Sequence, residues 1–171
     1  MLFRSGEETL KGKGVSHCAS CDAPMLGGRT VAVVGGGDSA MQEALTLAQH
    51  VGQVILLVRD DALGGQQAYS DRIAAEGKIE VRHGVEVEAI VGADVVTGVK
   101  LKGIAEPLAV DAVFAYVGLA PNTAFLEGLL ALDGDGRIQT DGSLAASVPG
   151  VYAAGTVRVG AAGRAAASAG E

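Results

Sequence analysis

The chain has two cysteines, and both stand in one short run, His17-Cys18-Ala19-Ser20-Cys21-Asp22. Two thiols separated by two residues can close into a disulfide when the first turn of a helix holds them. Such a pair exchanges with other disulfides through its more reactive thiolate. Asp22 follows directly and is placed to shuttle the proton that exchange requires. The competing readings are a motif with no present chemistry and a zinc half-site, which needs two more ligands. Only His17, His50 and His83 are on offer as histidines and there is no second cysteine pair, so no metal is expected. Because the pair closes a very short loop, it removes little entropy from the unfolded chain. It is also expected to lie outside the strand-and-helix core that begins at Val31. Reduction should therefore be reversible and leave most of the fold intact.

A second chemical stretch is residues 31–45, VAVVGGGDSAMQEAL. Residues 31–34 read as a short buried strand, Gly35, Gly36 and Gly37 as the turn, and Asp38 and Ser39 as the opening of a helix that carries Glu43. The spacing Gly35-x-Gly37-x-x-Ala40 is the dinucleotide-binding fingerprint in its Ala-ending form. Gly35 permits a tight turn, and Gly37, with no Cβ, lets a pyrophosphate approach the backbone. Ala40 is small enough for helix to pack on strand, and the free N–H groups of the first helical turn face the phosphates. The alternative is a glycine turn of purely structural use.

The adenosine end of such a nucleotide is met by the end of the next strand, residues 53–58, QVILLV. There the chain reads Arg59-Asp60-Asp61-Ala62-Leu63-Gly64-Gly65. Arg59 is placed to stack on adenine or contact a phosphate, and Asp60 or Asp61 to accept hydrogen bonds from ribose hydroxyls. Acidic residues here repel a 2′-phosphate, which favours NADH over NADPH. The competing reading is a solvated acidic loop.

The elements that must position these groups are those of an α/β fold. The chain has 171 residues, 26 of them glycine, with 49% hydrophobic and 4% aromatic residues and no tryptophan. That is one full domain and part of another, with a core of mostly valine, alanine and leucine. Residues 66–76 read as a short helix with Ala68, Tyr69 and Ile73 on one face, and 79–83 as a strand. Residues 85–91 and 95–102 flank the turn Gly92-Ala93-Asp94 as an antiparallel hairpin or small meander. Such a unit often caps the far face of a parallel sheet. Residues 108–117 read as one apolar strand ending at Gly118, beside the expected nicotinamide position. Residues 124–132 suit a short helix, 137–140 and 151–154 short strands, and the small-residue end a helix. Residues 1–16 read as a linker or an extended entry segment, with no first strand before the fingerprint.

The net charge of −7 argues against nucleic acid or an anionic membrane as partner. No uncharged apolar run is long enough for a membrane span. The start, MLFRSGEE, is too short and too soon acidic for a signal peptide, so a cytoplasmic setting is expected.

Taken together, these stretches resemble the thioredoxin-reductase-like branch of the pyridine nucleotide-disulfide oxidoreductases. HCASCDA is similar to that family's redox C-x-x-C-D segment, and VAVVGGGDSAMQEAL to its nicotinamide-nucleotide motif. YVGLAPNT resembles its link back to the flavin domain, and VPGVYAAGT its late flavin-binding stretch. The resemblance implies a Rossmann-like parallel sheet with an antiparallel meander, followed by a fragment of a second, FAD-binding-type domain. Residues 1–28 would be linker and redox segment, 29–118 the NAD(P)-binding domain, and 119–171 the partial FAD-binding-type segment. The N-terminal flavin half of the family pattern has no counterpart here. Cys18 would attack the partner disulfide, Cys21 lie nearer the flavin, and Asp22 serve as acid. Gly35, Gly36, Gly37, Asp38, Ser39, Ala40, Glu43, Arg59, Asp60 and Gly118 would serve the nicotinamide cofactor, and Gly155 and Thr156 the flavin.

Three departures qualify that pattern. The family's Ala-Ala-Gly-Asp ends here in Thr156, which donates a hydrogen bond but supplies no charge. The His-Arg-Arg of NADPH-using members is Val58-Arg59-Asp60, with Gly64 at a later arginine's place. The usual Gly-His is Gly118-Leu119. The implied function is an NADH-linked, flavin-dependent disulfide reductase, as a fragment or one part of a split enzyme. FAD would bind only if the missing half were supplied. The implied partners are a thioredoxin-like protein disulfide and a separate FAD-binding chain or a second copy. The alternative is a nicotinamide-dinucleotide-binding or redox-sensing module without turnover.

Overall fold

The computed structural model describes residues 6–163 and 165–171. The chain divides into two compact units, Met1–Gly118 and Leu119–Glu171.

In the first unit the strands are β1 (Val15–Ser16), β2 (Thr30–Val34), β3 (Gln53–Leu57), β4 (Ile79–Arg82), β5 (Val87–Val91), β6 (Gly98–Leu101), β7 (Leu108–Ala109) and β8 (Ala112–Ala115). Its helices are α1 (Ala19–Asp22), α2 (Asp38–Ala48) and α3 (Gln67–Ala75). Five strands form a sheet in the order β1-β8-β2-β3-β4, every pair parallel. Three form an antiparallel sheet in the order β5-β6-β7.

Alternation along the central strands sorts their side chains onto two faces. Val31, Val33, Val54, Leu56, Ala112 and Phe114 join the helices' Ala40, Ala44, Leu47 and Ile73 in one core. Ala32, Val34, Ile55, Leu57 and Val113 join Val87, Ile90, Val99 and Leu101 of the antiparallel sheet in the other. The unit thus has three layers, with the meander covering the face the helices leave. On α3 only Ile73 is buried; Ala68 is exposed, so the apolar face expected there is narrower.

Two readings of the first unit need correction. The residues read as linker contain a strand: β1 pairs with β8 through Val15↔Val113 and Ser16↔Phe114. Leu10 and Val15 are buried in the meander-side core. The cause is long-range pairing, since Val113 N–H donates to Gly14 O at 2.8 Å and Val96 N–H to Lys13 O at 2.9 Å. The single strand expected over 108–117 is two strands in different sheets. Asp111 makes the crossing: its carboxylate accepts from Thr30 N at 3.0 Å and Arg29 Nη1 at 3.1 Å. Its own N–H donates to Thr30 O at 2.8 Å.

The second unit has little regular structure: 3₁₀ turns at Ala124–Leu126 and Gly155–Val157 and the helix α4 (Ala165–Gly170). The helix expected over 124–132 is only the first of those turns. The strands expected at 137–140 and 151–154 are isolated bridges, Ile138 with Leu132 and Arg158, and Tyr152 with Ala145. Carboxylate turns do the work instead. Asp133 accepts from Asp135 N and Arg137 N at 2.9 and 2.7 Å, and Asp141 from Ser143 N and Ala145 N at 2.8 and 3.0 Å.

Candidate functional site

Cys18 and Cys21 are joined in a disulfide with Cα atoms 5.3 Å apart, within the ordinary range. Cys21 is exposed and Cys18 half-buried. Cys18 directly precedes α1 and Cys21 lies within it, and their neighbours Ala19 and Ala23 are wholly buried in the helix-side core. The two cysteines themselves are outside that core cluster, but the segment that carries them is anchored in it. Its small residues let α1 pack where α2 presents Ala40 and Ala44. His17 Nδ1 lies 3.2 Å from Ala115 O, and its Nε2 lies 3.3 Å from Glu7 Oε1. A cleft of about 150 Å³, lined in part by Gly12, Ser16, Asp22, Met25 and Phe114, is smaller than small-molecule sites usually are.

The glycine turn follows β2 directly. Gly35 has φ +135°, and a Cβ there would stand 2.3 Å from Tyr116 O. Its N–H donates to Leu57 O at 2.9 Å, which ties the turn to β3. A Cβ on Gly36 would meet Val58 Cγ1 at 2.8 Å, whereas one on Gly37 would meet nothing within 4 Å. Gly37 thus faces open space at the start of α2, where the first-turn N–H groups have no intrahelical partner. Ala40 is wholly buried. This combination leaves room for a pyrophosphate against bare backbone.

The carboxylates named by sequence point elsewhere. Asp38 accepts hydrogen bonds from Gln66 N at 2.7 Å and Gln66 Nε2 at 2.9 Å. Glu43 Oε2 accepts the Ala19 N–H at 3.1 Å. Arg59 and Asp60 are both exposed and pair with each other at 3.4 Å. Gly118 ends the first unit with φ +96°.

Sequence reasoning passed over two residues. Gln66 pins the loop after β3 to α2 through Asp38. Tyr116, just beyond β8, has a buried hydroxyl that finds no partner of good geometry. Burial, and after it the Glu43 carboxylate, push its pKa up to about 12. The only sequence signal for Tyr116 is a polar tip at the end of an apolar run.

In the second unit Gly155 is buried with φ +77°, and Thr156 is exposed. Gly155 N–H donates to Glu171 Oε2 at 2.6 Å, and Glu171 also pairs with Arg158. Among the described residues of this unit no glycine-rich turn follows a strand. Among the described residues there is no cluster suited to a metal ion and no helix long and apolar enough to cross a membrane.

A parallel sheet with a glycine turn at a helix start, beside a C-x-x-C disulfide, defines a dinucleotide-fold oxidoreductase class. The pyridine nucleotide-disulphide oxidoreductase family model matches residues 2–170, and the chain belongs to that family. It is 41% identical over 162 residues to thioredoxin reductase of Listeria monocytogenes, covering 92% of this chain and 51% of that protein. It is 39% identical over 157 residues to thioredoxin reductase of Treponema pallidum, covering 90% and 51% respectively. Among solved structures, Lactococcus lactis thioredoxin reductase superposes with a TM-score of 0.90 at 32% identity, covering 99% of this chain and 58% of that one. The chain spans about half the length of the thioredoxin reductases it matches.

Proposed function

We propose that this chain is the nicotinamide-binding and disulfide-bearing part of an NADH-linked, flavin-dependent disulfide reductase of the thioredoxin reductase type. One observation carries the reading: Ala19 and Ala23, which flank the Cys18–Cys21 disulfide, and Ala40, which follows the Gly35–Gly37 turn, share one core, with α1 hydrogen-bonded to α2. In this reading residues 29–118 bind the nicotinamide nucleotide, and 119–171 contribute to a flavin domain. Gly35, Gly37 and the first turn of α2 hold the pyrophosphate, Arg59 and Asp60 meet the adenosine, and Gly118 lies by the nicotinamide. Gly155 and Thr156 serve the flavin. FAD, when bound, supplies the conversion of a two-electron hydride donor into a disulfide reductant. Cys18 then attacks the partner's disulfide and Asp22 holds the proton exchanged at Cys21.

The relatives' names support a thioredoxin-like protein as the disulfide partner. A separate FAD-binding chain or a second copy would complete the flavin site. A cytoplasmic setting suits a thiol pair that must cycle.

Isothermal titration of the chain tests the cofactor assignment. NADH should bind at least about tenfold more tightly than NADPH, roughly 1.4 kcal/mol, because Asp60 and Asp61 repel a 2′-phosphate. Asp60→Arg should narrow the gap. Equal or tighter binding of NADPH would overturn the preference, and no binding of either would overturn the nucleotide reading.

A further inference from the structure

Glu43 belongs to α2, yet its carboxylate serves the cysteine helix. Cys18 precedes α1 and gives it no side-chain cap, and the Ala19 N–H, in the first turn, has no acceptor within the helix. Glu43 Oε2, from 24 residues away in sequence, accepts it at 3.1 Å. The Glu43 charge is therefore held at the residue directly after Cys18. Its surroundings are acidic. Asp22 lies on α1 itself, and the buried phenol of Tyr116, from the end of β8, feels both Glu43 and Asp22. His17, from the preceding segment, is turned to Ala115 O and Glu7. Negative charge beside a thiol disfavours its thiolate, which is the reactive form.

We propose that Glu43 is a positioning residue of the disulfide: it fastens α1 to the nucleotide-turn helix, and its charge keeps reduced Cys18 in the thiol form. The proposal rests on the reading above that the pair is redox-active. It gives the reduced protein a guarded nucleophile, slow towards chance electrophiles.

The test uses the whole chain. Dithiothreitol reduces the disulfide: the Cys18–Cys21 bond breaks, both sulfurs take hydrogen from the reagent, and the reagent closes to its cyclic disulfide. Iodoacetamide alkylation of each cysteine is then followed against pH by peptide mass spectrometry. Glu43→Gln keeps an oxygen that can accept the Ala19 N–H but removes the charge. Cys18 alkylation near neutral pH should rise about tenfold and its midpoint fall by about one pH unit, with Cys21 less affected. Glu43→Ala should show that shift and also lose amide-exchange protection at Ala19. A Cys18 profile in Glu43→Gln that superimposes on the native one, in a folded protein, overturns the proposal. If the glutamine variant does not fold, the native chain decides. Raising salt from about 50 mM to about 1 M should lower the Cys18 midpoint by screening, and a salt-independent midpoint overturns the proposal. A native disulfide that dithiothreitol leaves intact overturns the redox reading itself, and this proposal with it.

Discussion

Residues 6–118 and residues 119–171 bury their chain in different ways. The first unit has two continuous apolar cores on opposite faces of one parallel sheet, with Phe114, Leu56 and Val33 wholly enclosed. In the second, the described buried side chains are few: Thr123, Ile138 and Ala153. Leu119, Phe125, Leu129 and Tyr152 are exposed by 93%, 72%, 65% and 67%. Order there comes from carboxylates accepting backbone N–H groups and from the Arg158–Glu171 pair, interactions that contribute little each in high dielectric. The groups that need exact placement, the disulfide and the glycine turn, lie in the unit whose packing can supply it.

The largest expected effect is on the first unit's core. Phe114→Ala should cost about 3–5 kcal/mol in urea unfolding, because Phe114 is the largest wholly enclosed side chain. A loss below about 1 kcal/mol would mean that the core does not distinguish the units in this way.

Gly35→Ala should follow, at about 1–3 kcal/mol, with NADH binding lost. The new Cβ would stand 2.3 Å from Tyr116 O at a φ that disfavours side chains. Near-native melting and titration curves would show that the turn can open without consequence.

The smallest effect belongs to the second unit. Hydrogen bonds first from Arg158 and then from Gly155 N–H hold the Glu171 carboxyl below its ordinary pKa. A depressed folded-state pKa gives stability that is present above the ordinary carboxylate value and lost as pH falls through the folded one. Protection of the Gly155 amide, taken relative to its intrinsic exchange rate at each pH, should therefore fall on acidification below the ordinary carboxylate range, and Glu171→Gln should flatten that response. An equally steep response in the variant would assign the effect to another group.

What was legible in the sequence follows from how local each signal is. VAVV and QVILL stand out because both faces of their strands are buried, and the meander because Val85, Val87 and Ala89 alternate with Glu86 and Glu88 in the sequence. Val15 gave no such signal: its strand is two residues long among glycines, and its partner, Val113, is 98 residues away. Asp111 looked like a polar interruption of one strand, since its bonds to Thr30 and Arg29 are non-local. At the candidate site the cysteine pair and glycine turn were readable from spacing. The hydrogen bonds that Glu43 accepts from Ala19 and Asp38 from Gln66 join residues 24 and 28 positions apart, and only the fold brings them together.

The Asp38–Gln66 contact also makes the loop after β3 a bridge anchored at both banks. On the far side Gly64 N–H donates to Gly36 O at 2.9 Å, and a Cβ on Gly65 would collide with Asp38 Oδ1 at 2.4 Å. Residues 59–63 form the span, and 64–66 its abutment against the glycine turn. The exposed side chains of residues 59–62 can be exchanged without moving the turn, whereas Leu63 packs on the helix-side core. A side chain added at Gly65 would shift the abutment, and with it the start of α2.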